Sequence, residues 1–419
     1  MHYLSVEAAQ QTILQHMQTK KAICVPLHKS LGRVLAKDVL ANRNHPPYDV
    51  SAMDGYAVRF ADIADATKDA PARLHVVDDI RAGQMPHIKI LQGRAARIMT
   101  GAATPAGIDT VVRVEDTAHD GDHVFIHRPP KQGANIRPLG ENLRNGMTVL
   151  FKGDVITPGV LAILAMVKQK EVDVYGLPSV AILSTGDELE GLDDPLDEHK
   201  IPDANSHALY AQCLSLGIHA TLLGIAHDNP IELRAKLVEG LNHDVLLASG
   251  GVSVGHHDFV RPTLEALGIT MHFWRVAMRP GHPFAFGTSQ QGTAVFGLPG
   301  NPVSSMVCFE QFVAPACKAA MGHKQLFRRT IKARLGHGIQ DREGRTHFVR
   351  VTLVRDKKEY IAFSTGTQGS GVLMSMAVAE GFLVVPMNTA HLNKGDAVTI
   401  QLLQGMDFQS DADIGSINE

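Results

Sequence analysis

The chain of 419 residues is 44% hydrophobic and 20% charged, with a formal net charge of −3. These values describe a globular protein of about two to four domains and give no support to a nucleic-acid or membrane surface. Its four cysteines, Cys24, Cys213, Cys308 and Cys317, form no CxxC pair, so neither a zinc site nor a disulfide framework is indicated. Cys308 and Cys317 read as small core residues. The longest apolar run, residues 160–167, is too short to span a bilayer, and the N-terminus lacks a basic region followed by an apolar block. A cytoplasmic location is expected.

In chain order, Ser5 caps an amphipathic helix reaching Gln18, with Val6, Ala9, Ile13, Leu14 and Met17 on one face. Pro46-Pro47 imposes an extended segment, and Met53-Asp54-Gly55-Tyr56 follows as a turn between strands. From Ala72 to Pro129 short strands alternate with Gly, Pro and Asp, the pattern of a small β-domain. Thr157-Pro158 opens a helix to Gln169, which is expected to pack beside the first helix. From Ser179 strand and helix alternate as βαβ units. The fold class read from this is a multidomain α/β plus β protein around a doubly wound, mainly parallel sheet. Beyond Leu326 only strands follow, a C-terminal β-barrel or sandwich. The expected division is a discontinuous helical arm (1–43 with 136–178), a small β-domain (44–135), the α/β domain (179–325), the C-terminal β-domain (326–406) and a loose tail (407–419).

The candidate chemistry gathers at strand ends of the α/β domain. Ser184-Thr185-Gly186-Asp187-Glu188 follows one strand, His227-Asp228-Asn229-Pro230 another, and Ser249-Gly250-Gly251 a third. Gly250, Gly251, Gly255, Gly281 and Gly300 let backbone approach a ligand, and open α/β sheets bind ligands at the carboxyl ends of their strands. Taken singly, each loop reads equally well as a turn, and Asn229 or Asp258 as a helix cap. Arg275, Arg279 and the turn Pro299-Gly300-Asn301-Pro302, which opens a helix containing Ser304, suit a phosphate or another oxyanion. Glu188, Asp228 and Asp258 at one sheet edge need a cation, so Mg²⁺ is implied. Asp54 and Thr100, each beside a glycine, are weak signals alone. No HxxxH pair among the 22 histidines opens a helix, and there is no Walker loop or GxGxxG strand–helix start.

Together the strings PPYDVSAMDGYAVR, IMTGAATPAGIDTVVRVED, NIRPLGEN, VAILSTGDEL, LLASGGVSVGHHDF and VFGLPGNPVSS resemble the molybdopterin molybdenumtransferase family, bacterial MoeA and the gephyrin E domain. The resemblance runs in family order over nearly the whole chain. It implies insertion of molybdate into adenylylated molybdopterin with release of AMP, assisted by Mg²⁺. It further implies four domains, including a molybdopterin-binding α/β domain and a C-terminal β-barrel, and an elongated homodimer. With Asp54 and Thr100 in the small β-domain and Glu188, Asp228 and Asp258 in the α/β domain, a composite site shared between the subunits is expected. A molybdopterin adenylyltransferase is a candidate partner enzyme. By the same resemblance Glu188, Asp228 and Asp258 belong to the pterin-nucleotide and metal site, with Asp54 and Thr100 in the active site and Ser253 in the ligand loop. Arg279 and His282 stand where the family usually has lysines, and Arg350 and Ser370 fall in the region associated with molybdate. Asn142 replaces a residue that is often acidic, a further departure. Two other readings are a dimeric scaffold of the gephyrin type and a molybdopterin adenylyltransferase. The chain shows neither a second such domain nor a long linker, and an adenylyltransferase would not need flanking β-domains.

Overall fold

A computed structural model describes residues 3–251, 259–341, 344–357 and 359–403. The strand Val180–Thr185 is buried at all six positions. A run of apolar and small residues requires this of a parallel strand with helices on both faces. It pairs in parallel with Thr221–Ala226 and Val245–Ser249, and the latter pairs in parallel with Ala294–Leu298. Two antiparallel strands, Ala285–Thr288 and Thr270–Phe273, extend the sheet beyond Ala294–Leu298. Each has only four residues, so the sequence pattern alone did not mark them. The exposed Thr221–Ala226 strand forms the opposite edge.

One face of this sheet is covered by Ala204–Leu214 and the segment from Pro302 to Ala320, the other by Pro230–Gly240 and Val260–Ala266. The helix that this sequence pattern would run unbroken from Val303 to Ala320 is interrupted. Pro302–Cys308 and Ala314–Ala320 flank a π-helical turn, Phe309–Val313. Pro315 has no N–H to offer the carbonyl four residues back, and a wider turn just before it accommodates that loss.

The first helix, Val6–His16, starts at Ser5, whose hydroxyl accepts from the Ala8 N–H at 3.1 Å. It does not pack beside the later helix, as the sequence led us to expect. Val6, Ala9 and Ile13 enter the core of the α/β layer with Phe309 and Phe312. The later helix, Pro158–Met166, packs in a separate core with Leu35, Ile156 and Val174. Strands there join distant stretches: Ala22–Pro26 pairs with Glu171–Tyr175, and Val39–Leu40 with Thr148–Leu150. The physical reason is apolar area. The bulky aromatics Phe309 and Phe312 of the π-turn give the first helix an apolar surface on which to bury Val6, Ala9 and Ile13.

A six-stranded sheet holds Gly55–Val58 between Thr110–Arg113 and Arg94–Ile98, with Ala72–Ile80 beyond. The C-terminal strands close into a barrel. Thr346–Asp356 pairs with both Glu359–Ser364 and Gly381–Val385, and the ring is completed through Thr330–Leu335 and Ala397–Leu402. Phe348, Met376 and Phe382 join the core of the α/β layer, and Gln311 donates to Gln401 at 2.6 Å. The short strand Met278–Arg279 leaves the α/β layer to pair with the barrel, placing Arg279 opposite His347. That crossing creates the cleft described next. No helix among the described residues is long and apolar enough to cross a membrane. The expected tail, 407–419, lies outside the described residues.

Candidate functional site

The four parallel strands finish level with one another: Thr185 stands beside Ala226, Ser184 beside Ser249, and Ser249 beside Leu298. Their loops therefore share one edge. Two predicted groups there serve the loops themselves. Ser184 is buried and donates to Asp203 at 2.9 Å, the carboxylate that caps the helix Ala204–Leu214. Thr185, also buried, lies 3.4 Å from the Ser249 carbonyl. Gly250, at φ 90°, passes so close that a Cβ would stand 2.4 Å from the Thr185 carbonyl oxygen. Gly251 is similarly crowded by Val260 and Thr185. These glycines are required for the strand ends to pack, whatever the ligand.

The carboxylates face outward. Glu188 is exposed and folds back over Gly186, where a Cβ would meet its carboxylate at 2.4 Å. Asp187 accepts from the Asp228 backbone N–H at 2.9 Å and stands 3.5 Å from the His227 ring. This contact ties the exposed Asp228 loop to the Glu188 loop. Ser253, Gly255 and Asp258 lie outside the described residues.

At the other end of the edge is a cavity of about 370 Å³ between sheet and barrel. Arg279, His282, Pro299, Asn301, Ser304 and Ser370 line it, six of the residues singled out from sequence. Asn301 donates to the Ser370 hydroxyl at 3.0 Å, closing the seam. Arg275 is half-buried beside this cleft but does not line it. Arg350 lies behind the wall with its side chain fully buried. It is bonded to Gln368 through its backbone and to the Gly369 carbonyl through Nη2 at 3.1 Å. Its Nε donates to Ser375 at 3.1 Å, while Nη1 is buried with no partner among the described residues. Burial, then the nearby Arg279, push the guanidinium down to about 10. Among the described residues no carboxylate pairs with it. A buried cation with an unused donor has an anion as its natural partner.

The surroundings of His282 favour its neutral form. Burial pulls its ring below the ordinary imidazole value, and Arg345 and Arg275 act the same way against its bond to Val276. Nδ1 lies 3.1 Å from the Val276 carbonyl, so the neutral ring donates there and keeps an acceptor at Nε2. Asp54 and Thr100 come together in the small β-domain. One Asp54 oxygen accepts both the backbone N–H and the hydroxyl of Thr100, each at 2.7 Å. The hydroxyl bond, then the backbone bond, hold this carboxyl below its usual value. Neither residue lines the cleft.

Three family models cover the chain. Residues 4–167 match the MoeA N-terminal region (domain I and II), 181–319 the "Probable molybdopterin binding domain", and 332–403 the MoeA C-terminal region (domain IV). The molybdopterin molybdenumtransferase of Nostoc sp. is 36% identical over 388 residues, 90% of this chain and 88% of that protein. The chain belongs to the molybdopterin molybdenumtransferase family. The same-named protein of Staphylococcus aureus (strain MRSA252) is 33% identical over 404 residues, 96% of each chain. A molybdopterin biosynthesis moeA protein from Pyrococcus horikoshii OT3 superposes with a TM-score of 0.83 at 28% identity, over 96% of this chain and all of that one.

Membership of the molybdenumtransferase family makes this chain an enzyme of molybdenum cofactor biosynthesis. Several residues that build its cleft escaped the sequence reading. Asn205 donates to Ser249 at 2.8 Å and to the Gly300 carbonyl at 2.7 Å, tying two strand-end loops, yet in sequence it is only the start of a helix. Arg345, Gln368 and Gly369 line the cavity from the barrel, where no motif marks them. Among the described residues no group of three or more His, Cys, Asp or Glu side chains converges as a metal site.

Proposed function

We propose that this enzyme inserts molybdate into adenylylated molybdopterin and releases AMP, with Mg²⁺ assisting. The observation that carries the reading is the cleft between sheet and barrel, where buried Arg350 keeps an unpartnered donor behind a wall facing Arg279. A tetrahedral dianion is what such a site neutralises. The pterin nucleotide lies, in this reading, along the sheet edge from the cleft toward Glu188 and Asp228. Mg²⁺ typically takes one or two carboxylates and completes its shell with water and substrate phosphate. Two exposed carboxylates on neighbouring, tied loops fit that donor set, and Glu188 and Asp228 would hold the ion. Bound there, it would neutralise charge on the diphosphate. The protein's own part is positioning: arginines orient the oxyanion and the strand-end loops hold the nucleotide. Asp54 and Thr100 complete the site from a second subunit of a homodimer. Incubation with adenylylated molybdopterin, molybdate and Mg²⁺ is expected to give AMP and active cofactor. Nucleotide consumption from ATP with free molybdopterin would instead identify an adenylyltransferase.

The state of His282 gives a second expectation. A ring whose value is lowered stays neutral throughout the neutral range and charges only as pH falls below the ordinary imidazole range. Molybdate affinity should therefore be flat from neutral to mildly alkaline pH and rise only on further acidification. His282→Lys should bind about tenfold tighter at neutral pH, the effect of one added charge-assisted contact. Calorimetric titration with molybdate checks both. The same affinity and pH profile in the two proteins would remove His282 from the site.

A further inference from the structure

The cleft has a feature behind Arg279 that neither the family models nor the motifs assign. Arg279 is half-exposed on the cavity wall, and a side chain of that length loses considerable rotamer freedom if it is to be held in one pose. Among the described residues, Asp341 is the one carboxylate in ion-pair range of it, with Oδ1 at 3.4 Å from Nη1. Asp341 is itself buried, its side chain 3% exposed. Its other oxygen accepts from Nδ1 of His347, equally buried, at 2.7 Å. The strand register explains the meeting, since Arg279 stands opposite His347 where Met278–Arg279 joins the barrel. Burial holds the His347 ring below its ordinary value despite Asp341, and Arg279 and Arg350 add to the lowering. The neutral ring thus donates through Nδ1 and fixes Asp341, whose other oxygen lies 3.4 Å from Arg279 Nη1.

We infer that Asp341 and His347 are positioning residues for the oxyanion, acting through Arg279: His347 fixes the Asp341 carboxylate and Asp341 orients the guanidinium toward the cleft. This rests on the molybdate reading of that cleft. A buried ion pair that only joined barrel to sheet would stabilise the fold and do nothing specific for an anion. The two roles separate in a double-mutant cycle on the full chain, read by calorimetric titration with molybdate and by thermal unfolding.

Arg279→Ala alone should weaken molybdate about tenfold, one charge-assisted contact. His347→Leu removes the donor to Asp341 and should reproduce most of that loss. His347→Asn, whose amide can stand near the Nδ1 position, should restore it. In the Arg279→Ala background His347→Leu should weaken molybdate no further, although its effect on unfolding temperature persists. If His347→Leu does not fold, His347→Gln, which cannot donate from the Nδ1 position, takes its place in the same cycle. Additive losses, or undiminished affinity in His347→Leu and His347→Gln, would overturn the positioning role. Undiminished affinity in Arg279→Ala would instead overturn the molybdate reading of the cleft.

Discussion

Arg350→Met is expected to weaken molybdate binding about a hundredfold, the effect of losing roughly two hydrogen bonds to a charged group. The expectation rests on what Arg350 lacks. Its guanidinium is fully buried, donates through Nε and Nη2 to Ser375 and Gly369, and leaves Nη1 with no partner among the described residues. A cation held away from water without a carboxylate destabilises the resting fold, so removing it should not lower the unfolding temperature. Methionine is unbranched and adaptable enough to fill the space beside Phe348 and Phe382. A structural arginine would behave in the opposite way, with stability lost and affinity kept. Calorimetric titration with molybdate and thermal unfolding of the same preparation separate the two. Retained affinity in a destabilised protein would show that Nη1 does not meet the substrate.

Glu188→Ala and Asp228→Ala are each expected to abolish turnover while leaving the fold intact. Both side chains are exposed on strand-end loops, and substitutions away from packed positions usually change stability by less than about 0.5 kcal/mol. Their loss should therefore appear in AMP release at saturating Mg²⁺ and not in the unfolding temperature. The Glu188→Ala chain also tests the shared site. Mixed with Asp54→Ala chains, a composite site puts both lesions in one pocket of each mixed dimer and leaves the other whole. Random mixing would then restore about a quarter of the sites. If each pocket belonged to a single chain, every site would carry one lesion and mixing would recover nothing.

Of the candidate site, the residue types were legible and their partners were not. Arg279, His282, Pro299, Asn301, Ser304 and Ser370 are recognisable in the sequence and meet in one cleft. Asn205, Arg345, Gln368, Asp341 and His347 were missed because each acts across a junction between elements distant in the chain. His282 reads from the sequence as a group mostly neutral near pH 7 unless its environment raises its value. Which way its value moves depends on how deeply the ring is buried and on its bond to Val276, which no local pattern reports.

The sequence by itself determined the alternation of strand and helix from Ser179 and the run of C-terminal strands. Both arise from local periodicity, turn residues and helix caps such as Ser5, Thr157 and Asn229. Only the tertiary structure decided that the first helix packs on the π-turn rather than on its fellow helix, and that the last strands close into a barrel. It also decided that Gly250 is a packing necessity and that Arg350 is a buried, incompletely bonded cation. The reason is range. Periodicity and caps act over a few residues, whereas burial and the choice of hydrogen-bond partner are set by contacts between segments that become neighbours only when the chain has folded.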